Sequence, residues 1–167
     1  RGGGLLELYC GNGNFCIALA PNFDSVLATE LSRVGIAAAK HNLEANGVEN
    51  VKVAAISAEE FSAAYLDKQP HKKLQKESID LAEFSFGTVL VDPPRAGLDD
   101  LTVKLVSTFD TIVYISCNPD TLRANLEDLC NSHDVKRFAV FDQFPYTDHI
   151  ECGVLLQRRT AAEPADA

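Results

Sequence analysis

The stretch KRFAVFDQFPYTDHIECGVLLQR, residues 136–158, carries two apolar and aromatic runs parted by a short polar link. Residues 136–144 and 151–158 read as strands. Only the six residues PYTDHI, 145–150, join them. A parallel crossover needs a dozen residues or more, so this pair must be antiparallel. Upstream the rhythm differs. LLELYC (5–10), SVLATE (25–30), VKVAAI (51–56), TVLVDP (88–93) and TIVYIS (111–116) read as strands. Helical spacing recurs between and after them, near 14–20, 33–46, 58–66, 99–108 and 119–131. This alternation predicts a Rossmann-like α/β fold, a mostly parallel seven-stranded sheet with helices on both faces and an antiparallel last strand. Residues 1–159 are expected to form one domain. Segment 67–86, with its polar run DKQPHKKLQKES, reads as a surface insertion, and 160–167 as a frayed, disordered tail.

A chain of 167 residues is long enough for a substantial core, and 46% apolar content suits a globular domain. It opens on Arg1 and enters a strand within four residues, which reads as a piece of a longer protein. No apolar run reaches membrane-spanning length and no secretory leader is visible, so no membrane partner is expected. Five cysteines form no CxxC pair, which predicts reduced thiols and an intracellular, cytoplasmic setting. The net charge of −9 argues against extensive phosphate contact by this segment alone. No two Cys or His residues show finger-type spacing, so no metal is expected.

In an open parallel sheet, ligands bind beyond the carboxyl ends of the strands. An antiparallel last strand starts at that same edge, which brings Glu151 there. CGNGN (10–14) after the first strand, Glu30 ending the second, Asp92 ending the fourth and Cys117 after the fifth join it. Gly11 and Gly13 let backbone approach a ligand closely, although the third glycine of a dinucleotide fingerprint is missing. Glu30 stands where an acid reaches ribose hydroxyls; a tight turn and a solvated strand-end acid are the plainer alternatives. Asp92 precedes Pro93 and Pro94, which hold the backbone rigid behind it. Arg95 serves either a structural ion pair or a phosphate. Cys117 leaves a strand just before Pro119 opens a helix, a position that favours thiolate and points to a nucleophile, with an inert buried thiol as the plainer alternative. Cys10, Cys16, Cys130 and Cys152 sit in apolar patterns and read as packing. His149 and Glu151 share one face of an extended segment, and either could serve as base. A nicotinamide-dependent oxidoreductase would use the glycine turn and Glu30 but leave Cys117 and Glu151 idle.

Taken together, LYCGNGNF (8–15), ATE (28–30), VDPPRAGL (91–98), YISCNP (114–119) and FDQFPYTDHIECGVLL (141–156) resemble the S-adenosylmethionine-dependent RNA 5-methyluridine methyltransferases, nearest their tRNA (uracil-5-)-methyltransferase branch. The resemblance runs in order from about residue 5 to 157. It implies a class I methyltransferase fold, S-adenosyl-L-methionine as cofactor and a T-loop uridine of tRNA as substrate. Cys117 would add to carbon 6 of uracil, and Glu151 would remove the carbon-5 proton. Tyr9, Asn14, Glu30 and Asp92 match cofactor-binding positions, with Gly11 and Gly13 in the same loop. The target base would have to leave its stack. Family members also carry an N-terminal RNA-binding part and an upstream cofactor-contacting glutamine that this chain does not contain. The acidity then fits phosphate contacts made elsewhere. A ribosomal RNA 5-methyluridine enzyme shares every one of these motifs, and a non-catalytic RNA-binding or folding module is the remaining alternative.

Overall fold

The computed structural model describes residues 2–160. Seven strands form one sheet: β1 (Gly4–Leu8), β2 (Ser25–Glu30), β3 (Val51–Ala55), β4 (Phe86–Val91), β5 (Thr111–Ser116), β6 (His133–Phe141) and β7 (Glu151–Arg158). Their order is β3-β2-β1-β4-β5-β7-β6. β7 runs antiparallel to both neighbours, and the pairs from β3 to β5 are parallel. The expected topology is therefore the observed one, with β7 inserted between β5 and the edge strand β6.

Six helices connect the strands: α1 (Asn14–Leu19), α2 (Arg33–Ala45), α3 (Ala58–Leu66), α4 (Lys72–Lys76), α5 (Asp100–Val106) and α6 (Pro119–Leu129). Alternation along β1 divides the core. Leu6 and Leu8 face one cluster with Phe61 of α3, Val103 of α5 and Leu122 and Leu129 of α6. Leu5 faces another with Cys16 of α1 and Ala39 and Leu43 of α2. Helix starts are set locally. The Ser57 hydroxyl accepts from the Glu60 amide while Glu60 reaches back to the Ser57 amide, a capping box that satisfies two end donors of α3. The Asp99 carboxylate accepts from Leu101 and Thr102 at the head of α5.

Three boundaries differ from the sequence reading. β1 stops at Leu8 because Tyr9 takes a left-handed backbone, φ 64°, that no strand accommodates. β6 begins at His133 and ends at Phe141, earlier than 136–144, because the buried His133 ring is anchored with Nε2 2.8 Å from the Phe109 carbonyl. Segment 67–86 is not merely a surface insertion. α4 places Leu74 in the core beside Ile79, and Phe84 stacks on Phe86 at 5.1 Å. Lys40 and Lys73 reach Glu77 and Glu60, tying the segment to α2 and α3. The tail expected at 160–167 lies outside the described residues beyond Thr160.

At the far edge, Val135, Phe138 and Val140 are register partners of the buried Leu156, Val154 and Cys152. The apolar face thus continues from β7 onto β6, where it is open. Among the described residues no helix is long and apolar enough to cross a membrane, and all five cysteines are free thiols.

Leu74 tests the integration of segment 67–86. It is only 3% exposed, so Leu74→Ala is expected to cost about 2–5 kcal/mol in denaturant unfolding. A loss within about 0.5 kcal/mol, as at an ordinary surface position, would restore the insertion reading.

Candidate active site

Four strand ends build the rim. β1 and β2 supply the glycine turn and Glu30, β4 supplies Asp92, and β5 supplies Cys117, while β7 starts there with Glu151. Ser116, paired with Cys152, is the last β5 residue of the ladder; Cys117 follows it and Glu151 precedes Cys152, so both lie at the same end of the β5–β7 pair. Both side chains are half-buried. Asp92 ends the neighbouring strand; burial raises its pKa, and the nearby Glu151 charge raises it further. His149 also lies near this rim, in the exposed 142–150 segment, edge-on to Phe144 at 6.1 Å.

The loop bearing Cys117 is pinned on both sides. The Ser116 hydroxyl accepts from the Asn118 amide at 3.1 Å, and the Asn118 side-chain oxygen caps α6 through Asp120. The Asn118 side-chain amide and the Thr121 hydroxyl donate to the Arg95 carbonyl at 2.8 and 3.2 Å. Deeper, Asn125 of α6 accepts from the Leu98 amide and the Tyr114 hydroxyl and donates to the Leu98 carbonyl. The DPPR loop and the cysteine loop are therefore tied to each other and to α6. Gly97 is required there, since its φ is 77° and a Cβ would meet Asn125 Oδ1 at 2.8 Å. Of the two roles expected for Arg95, its guanidinium forms no ion pair among the described residues; its backbone does the anchoring.

Glu30 has a structural task that its strand-end position did not disclose. Its carboxylate accepts from the Gly11 amide at 2.9 Å and from the Leu31 and Ser32 amides at 2.8 and 2.6 Å. It thereby ties the glycine turn to the start of α2. A carboxylate has about four acceptor sites, so roughly one remains for a ligand hydroxyl. Gly35 allows this closeness: a Cβ there would meet Glu30 Cγ and the Gly11 carbonyl at 3.1 Å. The turn is held open by left-handed backbone at Tyr9, Gly11 and Gly13. Gly13 is buried, whereas Asn14, opening α1, is exposed.

Glu7 is the residue that motif reading missed. It is 1% exposed, on the β1 face that looks toward α1, and neither carboxyl oxygen has a hydrogen-bond partner in good geometry. Burial drives its pKa up to about 7; the Cys16 thiol and amide offset part of this, and Asp92 adds to it. A charged residue inside the run LLELY was the available signal. Burial, with Glu7 and Glu30 nearby, pushes the Cys10 thiol up to about 12 and raises Cys16 too. Both are poor nucleophiles at neutral pH. Among the described residues no cluster of His, Cys, Asp or Glu is arranged to hold a metal. A cavity of about 840 Å³ opens between α3 and residues 68–82, but none of the rim residues line it.

A parallel sheet with a glycine turn after β1, an acid ending β2 and an antiparallel β7 makes this a Rossmann-like α/β domain of a form that solved methyltransferases share. The N-methyltransferase NodS of Bradyrhizobium japonicum, solved with S-adenosyl-L-homocysteine, shares this fold at 14% identity and a TM-score of 0.69, over 95% of this chain and 79% of its own. The family model for tRNA (uracil-5-)-methyltransferase matches residues 1–159. The chain belongs to that family. It is 57% identical over 158 residues to the tRNA/tmRNA (uracil-C(5))-methyltransferase of Neisseria meningitidis, covering 95% of this chain and 44% of the relative. The Pyrococcus abyssi tRNA (uracil-54, C5)-methyltransferase, solved with S-adenosyl-L-homocysteine, superposes with a TM-score of 0.70 at 30% identity, over 93% of this chain and 34% of its own. The chain thus spans less than half the length of these two relatives.

The unpartnered Glu7 carboxyl makes stability depend on pH. Its folded value, about 7, lies above the ordinary 4.5. Its stabilising contribution is therefore complete below 4.5 and is lost as pH rises through 7. The gap corresponds to about 3 kcal/mol. Melts of Glu7→Gln against the parent should show the parent losing ground between pH 5 and 8; parallel curves would mean that Glu7 ionises as an exposed acid does.

Proposed function

We propose that this domain, in a polypeptide of its relatives' length, transfers a methyl group from S-adenosyl-L-methionine to carbon 5 of a tRNA uridine through a covalent cysteine adduct. The observation that supports this reading is the β5–β7 register, which ends at Ser116–Cys152 and so brings Cys117 and Glu151 to the same sheet edge as the glycine turn. The residues present fit the cofactor. The turn at Gly11 and Gly13 leaves backbone approachable and Glu30 keeps acceptor capacity for a ribose hydroxyl, while Tyr9 and Asn14 stand after β1 and Asp92 after β4 at the same sheet edge. Buried Glu7 beneath them is an acid without a counter-charge, which suits a cationic ligand. When bound, that cofactor supplies an electrophilic methyl group.

Uracil carbon 5 is a weak nucleophile, and the chain's own residues change that. The Cys117 thiolate adds to carbon 6, and the electron pair of the 5,6 double bond moves toward carbon 5 and the 4-carbonyl. Carbon 5 then takes the methyl group. Glu151 accepts the carbon-5 proton, the double bond re-forms, and the Cys117 thiolate leaves. One difficult substitution becomes an addition and an elimination. The Asn118 and Thr121 bonds to Arg95 hold the thiol in place during both steps. A uridine reaching Cys117 must be extruded from its stack. With a net charge of −9, the domain leaves most phosphate contacts to the remainder of such a polypeptide.

Two variants of the full-length protein separate the steps. Cys117→Ala should abolish methylation and any denaturation-resistant RNA adduct. Glu151→Gln should slow turnover at least about 100-fold, the usual weight of a general base, and accumulate that adduct. If Glu151→Gln turns over normally and His149→Ala does not, the base is His149.

The cofactor pocket is tested by calorimetry. Asp92→Ala and Glu30→Ala should each weaken S-adenosyl-L-methionine binding by about 10–100-fold. Glu30→Ala should also lower the melting temperature, because three backbone amides lose their acceptor. Unchanged affinity in both would place the cofactor elsewhere.

A further inference from the structure

The rim and the floor beneath it hold three carboxyls, Glu151, Asp92 and Glu7, none of them ion-paired among the described residues. Asp92 stands two positions beyond Leu90, the β4 register partner of Glu7; the Glu151 charge adds to the raised pKa of Asp92, and the Asp92 charge to that of Glu7. Glu7 is the buried one of the three, unpartnered and 1% exposed. Its neighbours come from every adjoining element. Cys10 follows it on the turn, Cys16 faces it from α1, and Asp92 faces it from the end of β4. Beside it in the sheet stand Ala28 of β2 and Leu90 of β4, both apolar, with Ala39 and Leu43 of α2 in the same cluster. The two thiols are held neutral by burial and the other neighbours named are apolar or acidic, so none of them brings a positive charge to Glu7.

A carboxylate buried without a partner is costly, so the site without a ligand holds this group protonated up to about pH 7. A cation seated against Asp92 changes that balance. Glu7 is buried, so a positive charge placed near Asp92 is screened less at Glu7 than it would be across water. A neutral ligand of the same shape exerts no such pull.

Resting on the cofactor reading above, we propose that Glu7 is a specificity residue for ligand charge: it stays protonated beneath a neutral occupant and gives up its proton to solvent when the occupant is cationic. The balance is simple. A neutral acid and a cation become a carboxylate facing a cation, and one proton leaves for bulk water. For a methyl-transfer site the consequence is directional. The methyl donor is a sulfonium and the spent product a neutral thioether, so the donor is favoured over its product by an amount that grows with pH. After transfer, Glu7 takes a proton back and the spent product loses its electrostatic hold. Glu7 touches no reacting atom in this scheme. It acts through Asp92 and is a positioning residue.

Calorimetry in two buffers of different ionisation enthalpy reads the proton directly. At pH 7, binding of S-adenosyl-L-methionine should release up to about half a proton more than binding of S-adenosyl-L-homocysteine, since Glu7 titrates there. The donor-to-product affinity ratio should rise up to about tenfold between pH 6 and 8, because the effect follows one ionisation. In Glu7→Gln both ligands should still bind, with equal proton counts and a ratio independent of pH. A purely structural Glu7 would move affinities for both ligands alike and leave the proton difference intact. Equal proton counts in the parent, or a difference that survives Glu7→Gln, overturns the proposal. Absence of binding by either ligand in every buffer would overturn the cofactor reading and this proposal with it, an outcome distinct from binding without proton exchange.

Discussion

Six consecutive antiparallel partners, from Thr111–Gln157 to Ser116–Cys152, bring the thiol after β5 and the carboxylate opening β7 to one end of the sheet. Side chains alternate along a strand, so a slip of one residue would turn Cys152, Val154 and Leu156 out of the core. Their burial at 2% exposure or less locks the register. The same packing that stabilises β7 therefore determines which of its residues reaches the rim at the Cys117 end. Chemistry at the rim is a by-product of hydrophobic registration, and it leaves little freedom for the two groups to drift apart.

Backbone hydrogen bonds accepted by side chains then make the rim rigid. Glu30 gathers three amides from two turns, Asn118 clasps the Arg95 carbonyl, and Asn125 holds both polar groups of Leu98. Each bond contributes about 1 kcal/mol net, more where the acceptor is charged. Their larger effect is geometric, because a nucleophile misplaced by an ångström loses much of its advantage. Glycines complete the arrangement where side chains would collide, at Gly35 and Gly97.

Electrostatics set the domain apart from a self-sufficient RNA binder. Acids line the rim and floor, and the chain as a whole is at −9. That field favours a cationic small ligand and opposes a polyanion. The apolar face left open on β6, from Val135 to Val140, is a second sign that the domain's surface is not finished within itself.

Much of this was legible in the sequence because it depends on local pattern. The alternation of apolar runs with helical spacing gave a parallel sheet, and the short link before Glu151 forced one antiparallel strand. Strand ends named Glu30, Asp92, Cys117 and Glu151 as rim residues, and the ordered motifs carried the family. What depends on encounters between distant residues was not legible. A lysine-rich run hid Leu74 and Ile79, which become core only because α4 folds back onto the sheet. Glu30 looked like a ligand acid, and only the approach of the Gly11 turn and the α2 start made it a backbone clamp as well. Glu7 looked like one acid in an apolar strand. Its unmet hydrogen bonds and displaced ionisation arise from being covered by α1 and faced by Asp92, and burial of that kind is created only when the chain closes on itself.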